Sequence, residues 1–296
     1  MGQAMQKLSV TVLERMIKSG VSGKEVDFIL YVGKYQNEYG TAEGIYYKDV
    51  CDALSLSFQG FYNCKKSLEE KGIISCTKKS YFDYDITILD NSFAGKENYG
   101  RGYISLHLNL FETEEFRALR AGAKLMAMWL LREWLIYKSK SGKMSYQILK
   151  DTFLKKFTEL FGVAARTVRA YLGMLKPFLN VYLEEGKKYY ITFLGAMAKP
   201  VPGRDSENGE LREHIVETAC RRSRIKGCEA EKKEVCAVLS QHHRELKQAD
   251  ISLSKIVSES LAVINDGVKN KSRWKRYLKP SLVHKLLVRE IRTGML

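Results

Sequence analysis

The chain has 296 residues, of which 45% are hydrophobic and 28% are charged, and its formal net charge is +15. This length and composition suit two or three globular domains and exclude a disordered chain. No apolar run is long enough to cross a membrane and the first residues lack a secretory signal, so we expect a cytoplasmic protein with no membrane partner.

The first pattern of alternating helices and strands lies between residues 22 and 89. Apolar spacing predicts a helix that Gly40 stops, followed by a short strand and a short helix. Ser57 is placed to cap a third helix, whose inward ridge contains Phe61 and Leu68. Two strands joined by a polar turn complete this first unit.

The order of these elements, helix, strand, helix, helix, strand, turn, strand, resembles that of a winged-helix domain. The segment SLEEKGII at the end of the third helix also resembles that family. The resemblance implies a DNA-binding module whose third helix and hairpin face the duplex. The candidate contacts in this unit are Gln59, Tyr62, Asn63, Lys66, Lys78 and Lys79. A role in protein–protein contact is the open alternative.

The same order recurs between residues 103 and 194. It starts with one long predicted helix, EEFRALRAGAKLMAMWLLREWLIYK, and ends with two strands joined by Glu184, Glu185 and Gly186. Phe61 matches Val168 at an offset of 107 residues, and Ile86 matches Ile191 at an offset of 105. Core positions at near-constant offset predict an internal repeat. We therefore predict two tandem winged-helix domains, residues 1–97 and 98–198.

The third helix of the second unit, GVAARTVRAYLGMLKPFL, has an apolar ridge of Val168, Leu172 and Leu175. Arginine side chains on its other face can bind guanine edges or phosphates, and small residues can approach a thymine methyl group. Pro177 is expected to end the helix early. With the hairpin lysines, the candidate DNA contacts are Arg166, Thr167, Arg169, Ala170, Lys187 and Lys188. A solvated helix face is the alternative.

The positive charge is unevenly distributed along the chain. Residues 1–99 carry 12 basic and 13 acidic residues, a net charge of −1. Residues 100–199 carry 17 and 8, which gives +9, and residues 200–296 carry 20 and 13, which gives +7. A basic surface favours a polyanionic partner, most often nucleic acid. The second unit is therefore the expected main DNA-binding domain.

Residues 204–296 read as a helical, basic C-terminal domain with helices near 210–226, 229–248 and 252–265. In the first helix, Arg221 and Arg222 follow Glu213 and Glu217 at distances that allow pairing within the helix.

Further along, aromatic residues are interleaved with basic ones, a pattern that suits stacking with nucleic-acid bases. The candidates in this segment are Arg273, Trp274, Lys275 and Arg276. The alternative is that the aromatic residues anchor the tail by packing against the rest of the protein. The string WKRYLKPS resembles the closing motif in the C-terminal domains of phage replisome organisers and primosomal helicase loaders. This resemblance implies a helicase or another replication protein as partner.

No motif for catalysis, metal binding or cofactor binding stands out, so we predict no catalytic residue, metal or cofactor. The six cysteines form no C-x-x-C pair, and the five histidines form no metal-binding array. A nuclease-like metal site is the alternative, and its candidate ligands are Glu112, Glu114, Glu115 and Asp151.

The tandem arrangement resembles the replication initiators of bacterial plasmids and mobile elements. It implies sequence-specific binding to double-stranded DNA by the second unit and self-association through the first. A winged-helix transcriptional regulator and an adaptor that uses winged helices only for protein contacts remain open alternatives.

Overall fold

The computed structural model describes residues 6–79, 83–94, 102–199, 209–242, 245–246, 251–270 and 276–294. The molecule is about 61% helical, and its strands form small antiparallel sheets, which confirms the predicted α+β class. The candidate residues Arg273, Trp274 and Lys275 lie outside the described residues, as does most of the predicted linker that follows Lys199.

The first unit (residues 7–88) begins with a strand and a helix that the sequence patterns did not predict. Its elements are β1 (Lys7–Ser9), α1 (Val10–Lys18), α2 (Gly23–Tyr35), β2 (Thr41–Tyr46), α3 (Tyr47–Leu54), α4 (Phe58–Glu70), β3 (Ile74–Lys78) and β4 (Asp83–Ile88). The last three strands form an antiparallel sheet in the order β2-β4-β3. Helices α2 and α4 pack on one face of this sheet through buried residues that include Phe28 and Phe61.

The second unit (residues 103–193) repeats this arrangement. Its elements are β5 (Tyr103–Ser105), a 3-10 helix (Asn109–Glu112), α5 (Glu114–Ala118), α6 (Ala121–Ser141), β6 (Tyr146–Leu149), α7 (Lys150–Phe161), α8 (Ala165–Met174), β7 (Leu179–Glu184) and β8 (Lys188–Phe193). Strands β6, β8 and β7 lie side by side in that order, which is the order of β2, β4 and β3.

Equivalent positions of the two units make equivalent contacts. The hydroxyl oxygens of Thr41 and Thr87 are 2.8 Å apart in the first sheet, and those of Ser145 and Thr192 are 2.8 Å apart in the second. The predicted pair Phe61 and Val168 is fully buried in both units. The internal repeat inferred from apolar spacing is therefore present in the three-dimensional structure.

Two predicted helices end or break elsewhere than expected. Helix α2 ends at Tyr35 and not at Gly40, because the backbone of Gln36 is extended. The buried side chain of Gln36 donates to the carbonyl oxygen of Lys7 at 2.5 Å. The long helix predicted from residue 114 is broken at residues 119–120, which are extended. This break lets Phe116 pack edge-on against Phe111 in the core.

The two units share one hydrophobic core, so they form one body. Strand β1 pairs with β5, with Leu8 opposite Ile104, and thereby joins the start of the first unit to the start of the second. A buried ion pair adds to this contact: Nζ of Lys124 on α6 lies 2.6 Å from Oδ1 of Asp27 on α2, and both side chains are almost fully buried. The predicted boundary between residues 97 and 98 falls outside the described residues.

Glu25 stabilises the other end of α2. Ser22 caps the helix, and Glu25 accepts hydrogen bonds from the backbone of Ser22 and from Nζ of Lys71 at 2.7 Å. Burial alone raises the pKa of Glu25, but these hydrogen bonds outweigh it and hold the pKa below the usual value of 4.5. The ionised carboxylate therefore contributes to the stability of the first unit.

The tail (residues 209–294) is helical and has a core of its own. Its helices are α9 (Gly209–Ser223), α10 (Glu229–Gln241), α11 (Leu253–Asn270) and α12 (Pro280–Gly294). Buried residues from all four, among them Val216, Leu239, Leu261 and Leu287, form a cluster separate from that of the two units.

Helix α9 attaches the tail to the first unit by packing on the outer face of its sheet, the face turned away from the core. Strand β2 has a bulge here, and Gly44 at φ +69° lies directly under Thr218: a Cβ at Gly44 would be 2.0 Å from the Thr218 methyl carbon. Arg221 donates to the carbonyl oxygen of Gly44 at 2.8 Å. The strand can therefore accept the helix only because residue 44 is glycine.

The arginines of α9 pair with acids of the first unit. Arg222 donates to Asp83 at 3.0 Å and to Asp85 at 2.6 Å, and the Asp83 side chain is fully buried. Arg221 lies over the ring of Tyr46. The pairing of these arginines is therefore intramolecular, as the sequence allowed, but the acids come from the outer face of the first sheet and not from α9.

Candidate nucleic-acid interface

Helix α8 is held by a left-handed turn before it and a buried ridge beneath it. Gly162 ends α7 at φ +61° and its N–H donates to the carbonyl oxygen of Thr158, so the chain reverses sharply into α8. Val168 and Leu172 seat α8 on the core. Its tight contact with α6 depends on Gly122, where a Cβ would come within 2.3 Å of the Tyr171 ring.

The opposite side of α8 is an exposed stripe formed by Arg166, Arg169, Ala170 and Gly173. These residues follow the i, i+3, i+4, i+7 spacing of one helix face. Within the described part of the chain, neither arginine forms an ion pair or a hydrogen bond through its side chain. Thr167 is half-buried at the edge of the stripe. The stripe therefore combines free guanidinium groups with very short side chains.

Gly173 is the member of the stripe that the sequence patterns missed. A Cβ built at this position meets nothing within 4 Å, and the residue has an ordinary helical backbone. Neither packing nor conformation within the described chain requires a glycine there, although glycine costs up to about 1 kcal/mol relative to alanine inside a helix. The signal in the sequence is its position three residues after Ala170, outside the buried ridge of Val168 and Leu172.

The equivalent helix of the first unit has its charges neutralised. Lys65 lies 2.7 Å from Glu69, and Lys66 lies 3.7 Å from Glu70. Gln59 and Asn63 are exposed but bind each other at 2.8 Å. The equivalent helices of the two units therefore differ in charge: α4 is neutral and α8 is basic.

Tyr62 is less exposed than predicted for a DNA contact. It is half-buried, its ring packs against Phe61, and its hydroxyl oxygen accepts from the Tyr84 hydroxyl at 3.1 Å.

The lysines at the hairpin tips also have more partners in the first unit than in the second. In the first unit Lys79 lies 3.8 Å from Asp85, and Lys78 also has a partner. In the second, Lys187 is exposed, while Lys188 is half-buried and donates to the amide oxygen of Gln147 at 3.1 Å. Lys187 is thus the hairpin lysine most available to an anion.

In the tail, Arg276 is the described member of the predicted basic segment. It is exposed, and its carbonyl oxygen accepts from the backbone N–H of Lys226 at 2.9 Å. This bridge brings together the two basic runs of the tail, so that Arg224, Lys226 and Arg276 lie near one another with Tyr277, which is 47% exposed. Leu278 is buried and anchors the segment on the tail core.

The acidic residues considered as metal ligands do not come together. Glu112 forms an ion pair with Lys34 at 2.8 Å, and among the described residues no group of three or more histidine, cysteine or acidic side chains is placed to hold a metal ion. Within the same ranges, none of the helices combines the length and the hydropathy that a bilayer crossing needs.

Comparison of the chain with protein-family models, with curated proteins and with solved structures finds no match.

Proposed function

We propose that each unit is a winged-helix domain and that the protein binds double-stranded DNA in a sequence-specific manner through helix α8. The order of elements supports the winged-helix assignment, since each unit has a helix, a strand, two helices and a hairpin around a three-stranded sheet. In such a module α8 is the recognition helix and the turn between β7 and β8 is the wing.

The observation that carries the proposal is the exposed stripe of α8. Arg166 and Arg169 have free guanidinium groups, each able to donate two parallel hydrogen bonds to a guanine edge or a phosphate. After them, Ala170 and Gly173 leave the helix backbone uncovered. A helix with long arginines at one end and almost no side chain at the other suits a groove about 12 Å wide.

The N-terminus of α8 also supports DNA binding by this helix. Ala164 is its N-cap residue and offers no side-chain acceptor, whereas Ser57 caps the equivalent helix of the first unit. The uncapped N–H groups in the first turn are the donors that a DNA phosphate accepts at a helix N-terminus.

The test is duplex binding by the double variant Arg166→Ala/Arg169→Ala, measured by fluorescence anisotropy over a range of salt concentrations. As the DNA, we choose duplexes that tile the region around the gene for this protein. Loss of two charge-assisted contacts should weaken binding about 100-fold and lower the salt slope by about 2. The matched control is Gln59→Ala/Asn63→Ala, which changes the same face of the first unit and should weaken binding less. Equal losses from both pairs would contradict the assignment of α8 as the main contact.

We further propose that the protein initiates replication of a bacterial mobile element and that its tail contacts a helicase or another replication protein. The support is the resemblance of the tandem arrangement to replication initiators, together with a tail that has its own core. A plasmid that carries only this gene and its flanking DNA should then be maintained in a suitable host. Intact DNA binding without plasmid maintenance would favour the transcriptional regulator.

A further inference from the structure

The outer faces of the two sheets are equivalent positions of one repeated module, but only one of them is covered. In the first sheet α9 lies on this face, as described above. In the second, Tyr182 is 64% exposed and Leu149 is 58% exposed. No described element packs on that face. The repeat thus contains one helix-binding face that is filled within the chain and one that is open.

The chemistry of the open face is reversed relative to the filled one. Strand register places Lys188 at the position of Asp83 and Tyr190 at the position of Asp85, the two residues that bind Arg222 of α9. By the same register, Leu149 takes the place of Tyr46. A carboxylate acceptor has therefore become a cation, and its neighbour has become a phenol.

The charged groups of this face are Lys188 and Glu184, which lie opposite each other in the strand register. Tyr190 donates to Glu184 at 2.7 Å, and Nζ of Lys188 lies 5.2 Å from the centroid of the Tyr190 ring. Lys188 is bound by the neutral amide of Gln147 and, among the described residues, pairs with no carboxylate.

The size of the face indicates what fits it. Three strands at a spacing of about 4.8 Å, each about five residues long, give a surface of about 14 by 17 Å. That is roughly 240 Å², far below the about 800 Å² per partner that a stable dimer needs. It matches one helix of about eleven residues.

We propose that the outer face of the second sheet binds a single amphipathic helix of a partner protein, with a carboxylate of that helix on Lys188 and its apolar side on Tyr182 and Leu149. This helix is the counterpart of α9 with the charges exchanged. The inference does not rest on DNA binding by α8.

The probe is a fluorescein-labelled peptide of α9 itself with its charges reversed. It spans Gly209–Ser223 and carries Arg221→Glu and Arg222→Glu. It also carries Thr218→Ala, because β6 has no glycine to make room for the threonine side chain as Gly44 does in β2. A staple between positions 213 and 217, both exposed in α9, keeps it helical, since an isolated helix of this length is marginal. The control peptide has the same staple and the native arginines.

Binding to the full-length protein is measured by fluorescence anisotropy. The charge-reversed peptide should bind with a Kd below about 1 mM, and the control peptide should not. Lys188→Glu should weaken binding of the charge-reversed peptide about tenfold or more, as should Tyr182→Ser, whereas Lys155→Glu makes the same charge change on α7 and should leave it unaltered.

Equal binding of the two peptides, or no binding of either, would overturn the proposal. A third outcome would do so as well: if Lys188→Glu and Tyr182→Ser weaken duplex binding and neither peptide binds, the face belongs to the DNA interface.

Discussion

Gly173 gives the sharpest test of whether α8 enters a DNA groove, because the fold and the proposed function make opposite demands on it. We consider the substitutions Gly173→Ala and Gly173→Gln. Since a Cβ at this position meets nothing within 4 Å and the backbone is helical, both side chains fit the free protein without strain. Both residues also favour a helix more than glycine does.

The expected gain in stability follows from helix propensity. Glycine costs about 1 kcal/mol relative to alanine in a helix interior, and Gly173 lies one residue before the end of α8, so we expect a gain of about 0.5–1 kcal/mol. For a body of two units this raises the Tm by about 1–3 °C. Differential scanning calorimetry measures the change.

The expected effect on DNA binding has the opposite sign. If the stripe lies against a groove, the longer side chain of Gly173→Gln holds α8 away from the bases, and affinity should fall about tenfold or more. Because the substitution is uncharged, the salt slope should not change, which separates this effect from loss of an arginine.

The matched control for this loss is Ala237→Gln, which lengthens an exposed side chain on the tail helix α10 and should leave affinity unchanged. Duplex binding by Gly173→Gln within about twofold of the unmodified protein would refute a close approach of this stripe to DNA.

Three other predictions concern the contacts that stabilise the body and the contact that attaches the tail to it. Lys124→Met leaves Asp27 buried without a partner and should lower the free energy of unfolding by about 3–5 kcal/mol in urea titrations, with recovery when Asp27→Leu is added. Arg222→Ala leaves Asp83 buried beneath α9, so hydrogen exchange in α9 should become faster, and Asp83→Asn should reverse much of this change. The pKa of Glu25 in the folded protein is below its usual value of 4.5, so the ionised carboxylate stabilises the fold at pH values above 4.5. The free energy of unfolding should therefore fall as the pH drops below 4.5. Glu25→Gln should show a smaller acid-side loss in urea titrations at a series of pH values.

The repeat could be predicted from the sequence because its determinants are local. Apolar residues at helical and strand spacing identify the buried side of each element, and the burial of Phe61 and Val168 follows from that spacing alone. The break after α5 was missed, because nothing in the local pattern distinguishes the extended residues 119–120 from a continuing helix.

The contacts between distant segments could not be predicted in this way. Pairing of β1 with β5 depends on residues almost a hundred positions apart, and the ion pair of Lys124 with Asp27 joins two different helices. Gly44 did carry a signal, since a glycine inside a strand often marks a bulge or a close backbone approach. The sequence does not say which helix approaches it.

The net charge of +15 does not locate the surface available to a polyanion, because it does not show which basic residues are paired with acids. The lysines of α4 are paired within their helix, and Arg222 is bound to aspartates of the first unit. Among the described residues of α4 and α8, the basic residues without an ion pair are Arg166 and Arg169. If these two supply most of the phosphate contacts, the salt slope of duplex binding should be close to −2, at about −0.9 per neutralised phosphate. A slope near −10 would instead require contacts from the tail and both hairpins, and would make the whole molecule, and not α8, the DNA-binding surface.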